Sequence, residues 1–180
     1  MKSKNTRDLT PYQGVTVGFF ATDPNFPDQI LAGLNVRDRR LFDVYRLNVR
    51  TGALELDKEN PGDVGGWTAD NNLQVRAAQV QLPDGGTEIR LRDDPKSPWR
   101  SFQKWGPDER FGGIVGFTPD NRGVYLTSSV GANAARLLEV DLVSGQTKVV
   151  AEDRQFDVGG HDDASEETHP RGCPVCARAQ

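Results

Sequence analysis

The chain has 180 residues, 36% of them hydrophobic, with 19 glycines, 11 prolines and a net charge of −4, an ordinary globular share of apolar residues with more turn formers than usual. No stretch approaches the roughly 18 consecutive apolar residues of a membrane helix, and the start, Met1-Lys2-Ser3-Lys4-Asn5-Thr6-Arg7-Asp8, carries charge with no apolar run behind it, so neither a spanning segment nor a secretory leader is expected. With 22 basic against 26 acidic residues and no basic stripe, the charge gives no reason to expect nucleic acid or anionic lipid as a partner.

In chain order, short alternating runs rich in Val, Leu, Ile, Tyr and Phe predict strands at 15–20, 30–35, 44–49, 54–57, 64–69, 73–81, 88–93, 99–105, 113–117, 124–128, 137–142 and 148–151. Turn chemistry separates them: Thr51-Gly52, Asp70-Asn71-Asn72, Pro83-Asp84-Gly85-Gly86, Pro119-Asp120-Asn121-Arg122-Gly123 and Ser144-Gly145. No run has a long helical period. The strands repeat. Val64-Gly65-Gly66-Trp67-Thr68-Ala69-Asp70 matches Ile114-Val115-Gly116-Phe117-Thr118-Pro119-Asp120 at an offset of 50, and Val17-Gly18-Phe19-Phe20 begins a third copy. Residues 45–52 echo 138–145 at an offset of 93, close to two repeats. Four strands per period near 50 are the pattern of a β-propeller blade. The expectation is an all-β fold, a partial β-propeller of about three four-stranded antiparallel blades at 14–60, 61–110 and 111–157, with a lead-in at 1–13 and a disordered C-terminal tail at 161–180. Propellers usually close with four to eight blades. Three would leave both terminal faces open and favour self-association through the blade edges.

The chain resembles a known family at Pro24-Asn25-Phe26-Pro27-Asp28-Gln29-Ile30-Leu31-Ala32-Gly33-Leu34-Asn35-Val36-Arg37-Asp38, then at Phe42-Asp43-Val44-Tyr45-Arg46-Leu47 and Thr51-Gly52. Further along it does so at Asn60-Pro61-Gly62-Asp63-Val64-Gly65-Gly66-Trp67 with Asp70, Val75-Arg76-Ala77-Ala78, Asp84-Gly85-Gly86, Pro98-Trp99-Arg100, and Ala134-Ala135-Arg136-Leu137 with Asp141. These segments resemble, in order and spacing, the propeller of prolyl oligopeptidase family serine peptidases, in the acylaminoacyl-peptidase-like branch, over residues 7–160. The resemblance implies a propeller that sits over an α/β-hydrolase domain and limits which peptides reach its Ser, Asp and His. Those residues have no counterpart here, so no catalytic or cofactor-binding position is carried over, and this chain is expected to be a non-catalytic, cytoplasmic piece. Its partners would be its own hydrolase domain and a peptide substrate, with no nucleic acid, membrane or cofactor. The alternative is a stand-alone propeller-like module that binds other proteins.

Single residues admit two readings. Trp67, Phe117, Asp70 and Asp120 could form a repeated ligand site, but aromatics filling one inter-blade slot and aspartates capping one kind of hairpin are preferred. Trp99 and Trp105 could stack a ligand, with core packing preferred. Arg37-Asp38-Arg39-Arg40 is read as a solvated loop rather than a phosphate site, and Glu166-Glu167 as a solvated pair. His161, His169, Cys173 and Cys176 are the only set with metal-ligand chemistry, and a lone Cys-x-x-Cys with loosely spaced histidines is a weak zinc signal. Codons for 161–175 read one nucleotide downstream can give Met or Thr three times, then His-Pro, a polar turn and an Ala-Val strand. That is the order in which the family's pattern continues. The expectation is a frameshift near Gly160, an unselected tail from His161 to Gln180, and an accidental Cys-x-x-Cys.

Overall fold

In a computed structural model of the chain, residues 7–109 and 111–158 are described. All regular elements among them are strands: β1 (Val17–Thr22), β2 (Gln29–Leu34), β3 (Asp43–Asn48), β4 (Leu54–Lys58), β5 (Val64–Ala69), β6 (Val75–Gln81), β7 (Thr87–Leu91), β8 (Arg100–Trp105), β9 (Gly113–Phe117), β10 (Gly123–Ser128), β11 (Arg136–Asp141) and β12 (Thr147–Ala151). Each of the twelve predicted strands is present. They form three open four-stranded meanders, β1-β2-β3-β4, β5-β6-β7-β8 and β9-β10-β11-β12, with every neighbouring pair antiparallel. This is the sheet pattern of propeller blades. The first strands begin at Val17, Val64 and Gly113, intervals of 47 and 49 residues rather than 50.

The chain divides into two compact units, the first ending at Pro107 and the second beginning at Asp108. In the first unit the initial two meanders share a core. Leu31 and Val44 from the first sheet meet Val75 of β6 and Leu73 of the turn that precedes it, each at most 1% exposed, with Phe20, Phe26, Trp67 and Trp99 packed around them. Burying a side chain of that size contributes about 1.5–3 kcal/mol, which holds two sheets together where neither could shield its own face. Val64, Ala78 and Val80 extend this apolar layer under the same two tryptophans. The second unit buries Val124 and Leu126 of β10. Val124 lies opposite Val140 and Phe117, and Leu126 opposite Leu138 and Ile114, so alternation along β10 gives the sheet one strongly apolar face.

The echo at an offset of 93 is reproduced bond for bond. Asn48 N–H donates to Ala53 O and Gly52 N–H to Asn48 O; Asp141 N–H donates to Gln146 O and Gly145 N–H to Asp141 O. The side chains match as well. Asn48 Oδ1 accepts the N–H groups of Arg50 and Thr51, and Asp141 Oδ1 those of Val143 and Ser144. Gly52 and Gly145 close these turns at φ of 79° and 71°, a region that disfavours any side chain. The second sheet repeats the cap without the glycine, because Asp94 Oδ1 accepts from Lys96 and Ser97.

The echo at an offset of 50 is shared by strand but not by level. Trp67 lies opposite Ala78, three residues before the turn closed by Asp70 N–H to Gln74 O. Phe117 lies opposite Val124, one residue before the turn closed by Thr118 N–H to Gly123 O. The two aromatics are thus two residues out of step along equivalent strands. The aspartates do cap their hairpins: Asp70 Oδ1 accepts from Asn72 and Gln74, and Asp120 Oδ1 from Arg122.

Candidate functional site

The segment 59–63 carries the chain from the outermost strand of the first sheet to the first strand of the second, and Asn60 fixes it. Its side chain is 2% exposed. Nδ2 donates to Val64 O at 2.8 Å and to Phe42 O at 3.3 Å, while Oδ1 accepts from Gly62 N–H and Val64 N–H. Its backbone N–H donates to the buried Asp43 Oδ1 at 2.7 Å. Arg37 closes the arrangement by gripping Asp43 with Nε and Nη2 and donating from Nη2 to Asn60 O. A fork on both carboxylate oxygens is among the stronger ion-pair geometries, and the match raises the Arg37 pKa through its hydrogen bond to Asp43. The 37–40 loop is therefore tied down rather than merely solvated. Arg39 donates to the carbonyls of Gly14 and Gln13, and Arg40 pairs with Asp38 at 2.8 Å.

Beside this linker lies a cleft of about 180 Å³. It is lined by the apolar Pro61, Val64 and Ala78, by Trp67 and Trp99, and by the charged Lys58, Glu59 and Arg90. The two indoles stand 6.0 Å apart between centroids with 49° between their planes, a tilted arrangement that rings favour over a flat sandwich. Trp67 is held by Nε1 donating to Phe42 O at 3.1 Å. Trp99 carries two cations, Arg92 Cζ at 4.8 Å and Lys58 Nζ at 5.9 Å from its centroid. Arg92 is 5% exposed and donates to Val75 O and Pro95 O, and burial lowers its pKa. Arg90 is committed to Glu88 at 2.9 Å and Asp63 at 2.8 Å. Glu88 also accepts from Ser101 and faces Lys104, and these contacts, Ser101 first, hold its carboxyl below the usual value against the cost of burial.

Of the residues singled out in the sequence, Trp67 and Trp99 come together, 32 positions apart, whereas Trp105 is buried elsewhere in β8. Asp70 is buried and pairs with Arg76 at 3.5 Å, while Asp120 is exposed. His161, His169, Cys173, Cys176 and the pair Glu166-Glu167 lie outside the described residues, as does the expected disordered tail. Among the described residues no group of three or more His, Cys, Asp or Glu is placed to hold a metal ion, and no helix is long and apolar enough to cross a membrane. Lys58, Asn60 and Arg92 were not marked by the sequence as site residues. Asn60 had a signal, because Asn-Pro-Gly-Asp sits between two strands. Lys58 and Arg92 had none, since only sheet packing brings them to one ring.

No protein-family model matches the chain. In sequence it is similar to dipeptidyl aminopeptidase BIII of Pseudoxanthomonas mexicana, with 33% identity over 165 residues that cover 89% of this chain and 23% of that protein. In structure it is similar to TolB from Acinetobacter baumannii, with a TM-score of 0.56 and 17% identity, over 78% of this chain and 33% of that one. The chain thus spans about a quarter of the curated relative and a third of the solved structure. The second likeness concerns the fold alone.

Proposed function

Because sequence and fold both uphold the resemblance to the propeller of prolyl oligopeptidase family serine peptidases, we propose that this chain is the substrate-gating propeller segment of such a peptidase. One observation carries the reading: 89% of the chain aligns with a single stretch of a dipeptidyl aminopeptidase while accounting for 23% of its length. The described part of that stretch folds as three blade-like meanders with no other regular element. The segment supplies walls rather than chemistry. In this reading it works in the cytoplasm with further blades and a hydrolase domain, the peptide being held out or let in by the propeller. On its own it self-associates through its open sheets.

A chimaera tests gating directly. Residues 7–158 replace the matching stretch of the relative, and kcat/KM is measured on a short chromogenic peptide and on the same peptide embedded in a folded protein. Turnover of the short substrate with continued exclusion of the folded one is expected. Equal turnover of both, in a chimaera that still processes the short peptide, would refute gating. The 180-residue chain itself should resist labelling by a fluorophosphonate serine probe, because a triad needs nucleophile, base and oxyanion donors in hydrogen-bond geometry.

A further inference from the structure

We propose that the cleft between Trp67 and Trp99 is a binding site for an apolar carboxylate, a single ring or branched chain followed within a few bonds by a carboxylate group. Size sets the first limit. Ligand pockets for whole small molecules run to roughly 300–1,000 Å³, whereas this cleft offers about 180 Å³, room for one apolar group. Lining sets the second. Trp67 has spent its N–H on Phe42 O, so it offers the visitor its ring surface beside Trp99, Val64, Ala78 and Pro61. The third limit is charge. Arg90 is already neutralised by Glu88 and Asp63, and Glu59 lies 3.5 Å from Arg37. Among the described residues Lys58 meets no carboxylate, and its ammonium rests over the Trp99 ring. The lining of this largely apolar slot therefore holds one cation without an ionic partner among the described residues, and an acid whose apolar end packs on the two indoles brings its carboxylate to that ammonium. An amine of the same shape would be repelled by Lys58 and attracted only by Glu59, which is largely exposed and shares Arg37 with Asp43.

The chemistry is shared by a free arylalkanoic acid and by the C-terminus of a peptide ending in an apolar residue. Indole N–H resonances of the full 180-residue chain read the binding, since its three tryptophans give three signals. Trp105, 5% exposed in β8 and not part of the cleft lining, reports on folding. With 3-phenylpropionate, the Trp67 and Trp99 signals should move saturably with a dissociation constant of about 1 mM, the strength such a small ligand allows, while Trp105 stays put. 3-Phenylpropylamine and propionate should bind at least several-fold more weakly. Lys58→Gln should weaken the acid by roughly 2–5-fold, the range of a solvent-reached ion pair, without moving Trp105. A short peptide ending in Phe with a free carboxylate, set against its C-terminal amide, distinguishes the sources: tighter binding of the free-acid peptide than of phenylpropionate assigns the site to peptide ends, and the reverse assigns it to free acids. No saturable shift at Trp99, equal binding of acid and amine, or an unchanged constant in Lys58→Gln would overturn the proposal. None of these readouts depends on peptidase gating, so the two proposals fail separately.

Discussion

Asp38 follows Arg37 in the chain and Asn60 is hydrogen-bonded to both members of the Arg37–Asp43 ion pair, yet the two answer to different physics. The side chain and backbone N–H of Arg40 hold the Asp38 carboxyl down at about 2, from an ordinary 3.8. A lowered carboxylate pKa favours the folded state above the ordinary value, and that preference disappears as pH falls from 3.8 through about 2. Carbon-13 detection of the Asp38 carboxyl should show its midpoint near 2, moving upward in Arg40→Ala but stopping short of 3.8, because the residue-40 N–H still donates. The pair is exposed, so the change should be local. Asn60 is the opposite case, a buried amide whose every bond serves the linker. Asn60→Ala strands the Val64 carbonyl and the Gly62 and Val64 N–H groups, and should cost about 2–3 kcal/mol in urea unfolding with an unchanged slope. A loss under 1 kcal/mol would show that water replaces the clamp.

At the scale of the element, the hairpin caps repeat most faithfully. Asn48, Asp94 and Asp141 each accept two backbone N–H groups at the third turn of their sheets. Asn48→Ala and Asp141→Ala should each cost about 1 kcal/mol. Amide exchange should quicken first at Thr51 or Ser144, with little change in the partner strands. The strands themselves were legible because alternation and turn residues are local properties. β5 and β9 were bounded to the residue by Gly-rich starts and Asp-containing turns, while the start of β6 was placed two residues early at Leu73, which sits in the turn at φ 51°. Two caps showed as Thr-Gly and Ser-Gly. The cap at Asp94 did not, since Pro-Lys-Ser-Pro follows it with no glycine to flag the turn. The cleft was half legible: Trp67 and Trp99 stood out as large aromatics, yet one lies on β5 and the other just before β8, at opposite edges of one sheet, and no local pattern encodes that two rings 32 positions apart meet across it.

For the whole molecule the governing fact is that, among the described residues, each sheet ends in unpaired strands. In the second unit Phe111, Val130, Val143, Val149, Val150 and Phe156 are exposed, and two of these valines lie on the edge strand β12. Unpaired β-branched edges recruit other chains. Light scattering on the 180-residue chain should show an apparent mass that rises with concentration, and Val150→Lys should lower it by placing a charge on the edge. A concentration-independent mass, unaffected by that substitution, would argue for one defined assembly and so for the stand-alone binding module.

The asparagine that clamps the linker is followed by Pro61. Asparagine ages chemically when the next backbone nitrogen attacks its side-chain carbonyl and expels ammonia, and proline, whose nitrogen bears no hydrogen, cannot form that ring product. Asn71 and Asn121, half-buried in hairpin turns and followed by Asn72 and Arg122, lack a following proline. The joint between the first two sheets is therefore built from an amide that time does not readily turn into a carboxylate. A buried negative charge beside Asp43 would set two carboxylates against each other in this linker, and the residue that follows Asn60 closes the commonest chemical route to it.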